Sequence, residues 1–257
     1  MKTDKDWWKH FFDHTYLLTD ARSVCDHSLT RTEVDLVEKI LRLKKDDRIL
    51  DLCGGYGRHS LELARRGYHP PTVVDFSNHM IKFGKKIASE AGLEIKFLRR
   101  DARDCKLRPN SFSAVLVMAN SFGYFEDERD NRRILKEAYR LLDKGGKLLL
   151  DLTDPEYLRR NLKPVSWHEA NDDVIVYRRR ELRGDLIKAR EIVISRSRGL
   201  IRDGLYCERL YDRGKIERIL KDIGFRNLSI RRELKLHKRK KDYGMMTARV
   251  FTTAKKP

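Results

Sequence analysis

Three aspartates follow three short apolar runs in the first half of the chain: Asp51 within Ile49-Leu50-Asp51-Leu52, Asp75 after Thr72-Val73-Val74, and Asp101 beyond Ile95-Lys96-Phe97-Leu98. Runs of this length between helix-like segments read as parallel strands, which brings the acids to the sheet edge where open α/β folds bind ligands. The turn after the first strand, Cys53-Gly54-Gly55-Tyr56-Gly57, is rich enough in glycine for its backbone to lie against a ligand. It is no dinucleotide fingerprint, because the third glycine position counted from Gly55 and Gly57 is Ser60. A carboxylate at the end of that strand would repel a pyrophosphate and attract a cation held in a low-dielectric cleft. Asp75, 24 residues after Asp51, is spaced to accept both hydroxyls of a ribose, and Asp101 to accept from an adenine amine.

A ligand with adenine, ribose and a cationic end but no phosphate is S-adenosylmethionine, whose ammonium and sulfonium would face Asp51 and the glycine backbone. These residues resemble those of class I S-adenosylmethionine-dependent methyltransferases, in particular the small-molecule branch with a D-L-x-x-G-x-G turn. The likeness extends to sugar amine N-methyltransferases and related proteins of the Methyltransf_25 type. It continues in Asn120-Ser121-Phe122-Gly123-Tyr124-Phe125, in Leu141 to Asp151, and in Arg209-Leu210-Tyr211. The resemblance implies an α/β fold: a Rossmann-like seven-stranded sheet with its last strand antiparallel. It implies cofactor contacts at Tyr16, Asp51, Gly54, Gly55, Gly57, Asp75, Phe76, Met80, Asp101, Ala102 and Met118, although Met80 reads equally as a core filler. Asn120, Ser121, Tyr124, Arg209 and Tyr211 are the candidate acceptor contacts, and Tyr124, His168 and Glu208 are the side chains available as a base.

The elements that must position these groups follow from periodicity. Residues 1–43 form a helical cap: Trp7, Phe11, Phe12 and Tyr16 cluster at helical spacing, and an amphipathic helix from Thr32 to Leu43 buries Val34, Val37, Ile40 and Leu41. Trp7, Phe11 and Phe12 are expected to pack that segment onto the sheet. Residues 44–152 and 212–257 form the cofactor domain. In it Ala114 to Ala119 is a central strand, and the helix from Asp127 to Leu142 ends at Gly145-Gly146. Residues 153–211 change to strand alternation, with hairpin turns expected at Arg183-Gly184-Asp185 and Arg202-Asp203-Gly204. This is an inserted antiparallel β-hairpin arm, and in the resembled branch such an arm covers the acceptor and joins two subunits, implying a homodimer.

At 257 residues the chain holds one large domain with an excursion. Its four cysteines, Cys25, Cys53, Cys105 and Cys207, have no metal-site or disulfide spacing, no run is long and apolar enough to span a bilayer, and the first residues lack the core of a signal peptide. A cytoplasmic protein with no metal and no membrane partner is expected. The formal charge of +18 from 57 Lys and Arg against 39 acids, with one dense positive patch in Lys235 to Tyr243, suits a polyanion or a solvated surface. A small-molecule N- or O-methyltransferase therefore stands beside an RNA or protein methyltransferase, and beside a scaffold that keeps only the fold. The intact acids disfavour the scaffold. The lack of an N/D-P-P-Y type motif and of an RNA-recognition module disfavours a nucleic-acid acceptor.

Overall fold

The computed structural model describes residues 1–233 and 244–257, so the basic run Lys238 to Lys241 lies outside the described residues. Helices α1 (Trp8–Phe11), α2 (His14–Thr19), α3 (Ala21–Val24) and α4 (His27–Leu41) open the chain. A Rossmann-like alternation follows as β1 (Ile49–Leu52), α5 (Arg58–Arg65), β2 (Thr72–Asp75), α6 (Asn78–Glu90), β3 (Lys96–Arg99), β4 (Phe112–Val117), α7 (Glu128–Leu141) and β5 (Leu142–Thr153). Helix α8 (Pro155–Asn161) leads into β6 (Val165–Glu169), β7 (Val174–Arg183), β8 (Leu186–Ser195) and β9 (Gly199–Arg209), and α9 (Arg213–Ile223), β10 (Arg226–Glu233) and β11 (Arg249–Lys255) end the chain.

The main sheet has the order β10-β11-β5-β4-β1-β2-β3, and β11 runs antiparallel to both its neighbours. Side-chain alternation gives the sheet two buried faces, as a parallel sheet requires. Leu50, Leu52, Val115, Val117, Leu148 and Leu150 pack against Ile134, Leu135, Ile219 and Leu220 of α7 and α9. Ile49, Leu116 and Leu149 pack against Val34, Val37 and Leu41 of α4. Strands β6 to β9 form a separate antiparallel sheet in sequential order, which is the expected arm. Its inner face buries Val174, Val176, Arg178 and Arg180 of β7 beside Ile187, Ala189, Glu191 and Val193 of β8. The opposite face leaves Trp167 67% and Leu200 64% exposed.

Several boundaries differ from the periodicity for local reasons. The N-terminal aromatics do not share one helix: Asp13 accepts from Thr15 and Tyr16 N–H and starts α2 afresh. Helix α4 begins at His27 and not Thr32, because the Asp26 carboxylate caps Ser28 and Leu29. Gly145 and Gly146 lie within β5 instead of ending α7, whose chain passes directly from helix into strand at Leu142. The Arg183-Gly184-Asp185 turn forms between β7 and β8, with Gly184 at φ 61°. The Arg202-Asp203-Gly204 turn does not, because Arg190 on β8 holds Asp203 in the ladder with a 2.7 Å bond from Nε to Oδ1. The chain reverses instead between Ser195 and Gly199, where Asp173 accepts from Ser195 Oγ and Ser197 N–H.

Candidate active site

The β1 turn is built around Asp51. Its carboxylate is wholly buried, Oδ2 accepts from Ser60 Oγ at 2.9 Å, and Oδ1 has no hydrogen-bond partner among the described residues. Burial pushes this carboxyl up to about 6, with Ser60 and Arg58 opposing. Gly54 is required here, since a Cβ would lie 2.7 Å from the Asp51 carboxyl carbon. Gly55, at φ 58°, has open space where a side chain would be, and its N–H donates to Asp75 Oδ2 at 2.8 Å. Asp75 Oδ1 accepts from Ser77 N–H at 2.8 Å, so the carboxylate is fixed while its remaining lone pairs face the cleft. Burial also raises Asp75 above the usual carboxylate range.

A cleft runs along this edge, lined by Tyr16, Asp51, Gly54, Gly55, Asp75, Phe76, Met80, Asp101, Ala102, Met118, Ser121 and Tyr124. Gly57 is not in it. Its φ of 74° turns the chain into α5, and a Cβ there would meet Phe97 and Val73 at 3.0 Å, so it serves close packing behind the turn. Met80 does both things expected of it, lining the cleft while packed with Tyr56 and Phe97. At the far end Arg103 binds Asp101 through Nη2 at 2.7 Å and stacks over Trp8 and Phe125, and Trp8 also meets Phe76 at 4.7 Å. Burial would raise the Asp101 carboxyl, but Arg103 holds it below the usual range, so this acid presents a shared oxygen and not a free one.

A second chamber adjoins the cleft and shares Phe12, Tyr16, Val24, Arg58, Ala119 and Tyr124 with it. The strand ends and the inner face of the arm enclose it. Trp7, Phe11, Asn120, Arg178, Arg180, Glu191, Tyr206 and Glu208 line the rest. Trp7 and Phe11 meet Tyr206 of β9 at 5.9 and 5.0 Å, so these two bridge to the arm, whereas Phe12 packs against the Tyr56, Val73 and Phe97 cluster of the main sheet as expected. Asn120 is held by Thr153 N–H at its Oδ1 (2.9 Å) and donates from Nδ2 to Glu208 Oε1 at 2.6 Å. Glu208 is 4% exposed, and burial pushes its carboxyl up to about 7 against the pull of Asn120 and Arg180.

Three expected site residues lie elsewhere. His168, on the edge strand β6, is hydrogen-bonded to Thr19 O at 3.0 Å and lines neither chamber. Arg209 is ion-paired with Asp185 and donates from Nη2 to Glu126 O at 2.6 Å, which ties the arm to the main sheet. Tyr211 is buried against Phe122 at 4.8 Å. Conversely Trp8, Arg58, Arg180 and Tyr206 line the chambers and were not singled out, and Phe12, expected only to pack, lines both. Only Arg58 had a signal: a cation in the first turn of a helix opposes the helix dipole and needs a reason. Part of that reason is Glu33, which Arg58 contacts and which also takes His59 Nε2 at 2.9 Å.

A sheet of this order, with a glycine turn after β1 and acids in β1 and at the end of β2, has the same fold as solved S-adenosylmethionine-dependent methyltransferases. Residues 49–146 match the family model described as a methyltransferase domain, Methyltransf_25. The Rhizobium meliloti ubiquinone/menaquinone biosynthesis C-methyltransferase UbiE is 34% identical over 114 residues, 42% of this chain and 42% of that one. The chain spans about half the length of the curated relatives it matches. An S-adenosylmethionine-dependent methyltransferase from Clostridium acetobutylicum has TM-score 0.73 at 21% identity, covering 94% of this chain and 96% of that one. The sugar N-methyltransferase KedS8 from a Streptoalloteichus species has TM-score 0.66 at 17% identity, covering 88% and 87%. The residues present fit S-adenosylmethionine: a buried carboxylate oxygen without a partner suits its ammonium, and the Gly55 backbone lies open beside it. Among the described residues there is no His, Cys, Asp and Glu cluster able to hold a metal, and no helix long and apolar enough to cross a membrane.

Proposed function

We propose that the protein transfers the methyl group of S-adenosylmethionine to a nitrogen or oxygen of a small-molecule acceptor. The observation that carries this reading is the second chamber, a polar space under the arm that joins the cofactor cleft across Ala119 and Tyr124. S-adenosylmethionine, when bound, supplies an electrophilic methyl on sulfur. Asp51 would hold its ammonium, Asp75 its ribose hydroxyls, and Trp8, Phe76, Met80 and Ala102 would enclose the adenine. Arg58, at the wall shared by both chambers, would face the methionine carboxylate.

Methyl transfer is an in-line displacement, so the protein's main task is alignment in a space from which water is excluded. Phe12, Tyr16 and Tyr124 supply that enclosure at the shared wall. Glu208 is the base in this reading, because a carboxylate near neutrality can take a proton from an ammonium or hydroxyl acceptor at physiological pH. Tyr124 is a wall and not a base, since burial pushes its hydroxyl well above the usual tyrosine value. By their names KedS8 is a sugar N-methyltransferase, which supports a small acceptor methylated on nitrogen, and UbiE is a C-methyltransferase of ubiquinone and menaquinone biosynthesis, which supports a small acceptor only.

The arm, 153–211, is the lid of this site, and its exposed outer face around Trp167, Ile194 and Leu200 is where a second copy would dock to make a dimer. The test of the acceptor class is methyl transfer from labelled S-adenosylmethionine into fractionated extract before and after nuclease treatment. Label is expected in the small-molecule fraction irrespective of nuclease. Nuclease-sensitive labelling with a steep salt dependence would replace this reading with a nucleic-acid acceptor.

A further inference from the structure

The inner face of the arm buries two arginines of β7 whose environments differ. Arg178 is 5% exposed and binds two carboxylates through Nη2, Asp20 at 2.7 Å and Glu191 at 2.7 Å. Arg180, two residues on and 8% exposed, forms no ion pair with a described carboxylate. Its Nη1 donates to Ser166 Oγ at 2.8 Å, and its Nε has no hydrogen-bond partner among the described residues. Both side chains line the acceptor chamber.

A guanidinium taken out of water without a counter-charge is strongly unfavourable. The same face accepts Val174 and Val176, so an apolar residue would have been the stable choice at position 180. Of the other cations in the lining, Arg58 is matched with Glu33 and Arg178 with Asp20 and Glu191, while Arg22 is partly exposed to solvent. Glu208 feels the Arg180 charge but is hydrogen-bonded to Asn120 and lies beyond ion-pair distance of it. Across the ladder Arg180 faces Ala189, which faces Tyr206, and Arg180 and Tyr206 both line the chamber.

Building on the function proposed above, we infer that the acceptor carries an oxyanion, a carboxylate or a phosphate, and that Arg180 anchors it. The planar edge formed by Nε and an Nη matches two oxygens of either group. With that end held on β7, the reacting nitrogen or oxygen is directed along the chamber toward Glu208 and the wall shared with the cofactor cleft.

The test uses the full chain loaded with S-adenosylhomocysteine, titrated with inorganic phosphate and, separately, with acetate at constant ionic strength in sodium chloride. Calorimetry should show saturable binding of one anion, and the one bound tells a phosphorylated from a carboxylic acceptor. R180Q should weaken that binding at least tenfold, R180K should retain part of it, and E208Q should leave it unchanged or tighten it. The bound anion should raise the melting temperature of the parent and not of R180Q. R180Q should remain folded, because it breaks no ion pair with a described carboxylate and its loss is the hydrogen bond to Ser166. Saturation by neither anion, or equal affinity in parent and R180Q, overturns the inference. Failure of S-adenosylhomocysteine to bind at the outset would count against the proposed function instead, so the two are separable.

Discussion

Replacing Glu208 by glutamine keeps the side chain's shape and its hydrogen bond from Asn120 Nδ2 while removing the charge. Burial holds the Glu208 carboxyl at about 7, where 4.5 is ordinary. An acid whose value is raised on folding binds its proton more tightly in the folded state. The folded state therefore loses relative stability as pH rises past 4.5, and the loss is complete above about 7. The step from 4.5 to about 7, at about 1.4 kcal/mol per pH unit, is about 3 kcal/mol. Glutamine cannot ionise. The variant should thus match the parent in urea unfolding below the ordinary glutamate value, and exceed it by up to about 3 kcal/mol well above neutrality. Comparing the two proteins at each pH cancels Asp51 and Asp75, whose raised carboxyls both proteins share. Turnover should move the other way, rising in the parent through about pH 7 as Glu208 loses its proton and staying low and flat in the variant. A stability difference that is the same on both sides of neutrality would refute the burial argument, and a glutamine variant with the parent's pH profile would refute the role as base.

Asp75→Ala removes the acceptor proposed for two ribose hydroxyls and should cost roughly 2 to 4 kcal/mol of S-adenosylmethionine affinity by calorimetry, where an unchanged Kd ends that assignment. Arg249→Met leaves the buried acids Glu33 and Asp151 without their shared cation, and urea unfolding should show a loss of about 3 to 5 kcal/mol; a loss under about 1 kcal/mol would mean the acids simply take up protons. Trp167→Glu places a charge on the arm's outer face and should give monomers in ultracentrifugation without loss of cofactor binding, whereas a parent that is already monomeric removes the dimer.

The cleft proposed for the cofactor was legible in the sequence because each of its parts lies within one short segment. Asp51 with the glycine turn, and Asp75 with Ser77, are strand ends and the residues just after them, so spacing along the chain stands in for position in space. The acceptor half is made of contacts between distant segments. Asn120 and Glu208 are 88 positions apart, and nothing in Cys207-Glu208-Arg209 marks the glutamate as buried and the arginine beside it as tied to Asp185. Arg209 and Tyr211 were placed at the acceptor because they follow the arm, but alternation along β9 turns Glu208 inward and its neighbour away. The missed turn shows the same limit: Asp-Gly signals a hairpin locally, and the cross-strand pair from Arg190 to Asp203 overrides it.

The loop that carries Asn120 shows why charge is buried behind the site. Ala119 and Asn120 both have positive φ, 55° and 58°, a conformation that costs an alanine about 1 kcal/mol or more. Asp151 holds them there, accepting from Ala119 N–H through Oδ2 at 2.7 Å and from Asn120 N–H through its carbonyl at 3.0 Å. That carboxylate is in turn fixed by Arg249 Nε at 2.7 Å, and Arg249 also pairs with Glu33. Burial would raise the Glu33 carboxyl, but Arg58 and Arg249 hold it well below the usual range. His59 is pushed down to about 4 by burial, so it is neutral near pH 7 and donates to Glu33. The chain of pairs therefore runs from α4 through β11 and β5 to the strained loop. An apolar core could fill that volume, but it could not dictate the direction of two backbone N–H groups. Those directions aim the Asn120 side chain at Glu208, and in this way a buried ion network reaching back to α4 sets the geometry of the carboxylate proposed to meet the acceptor.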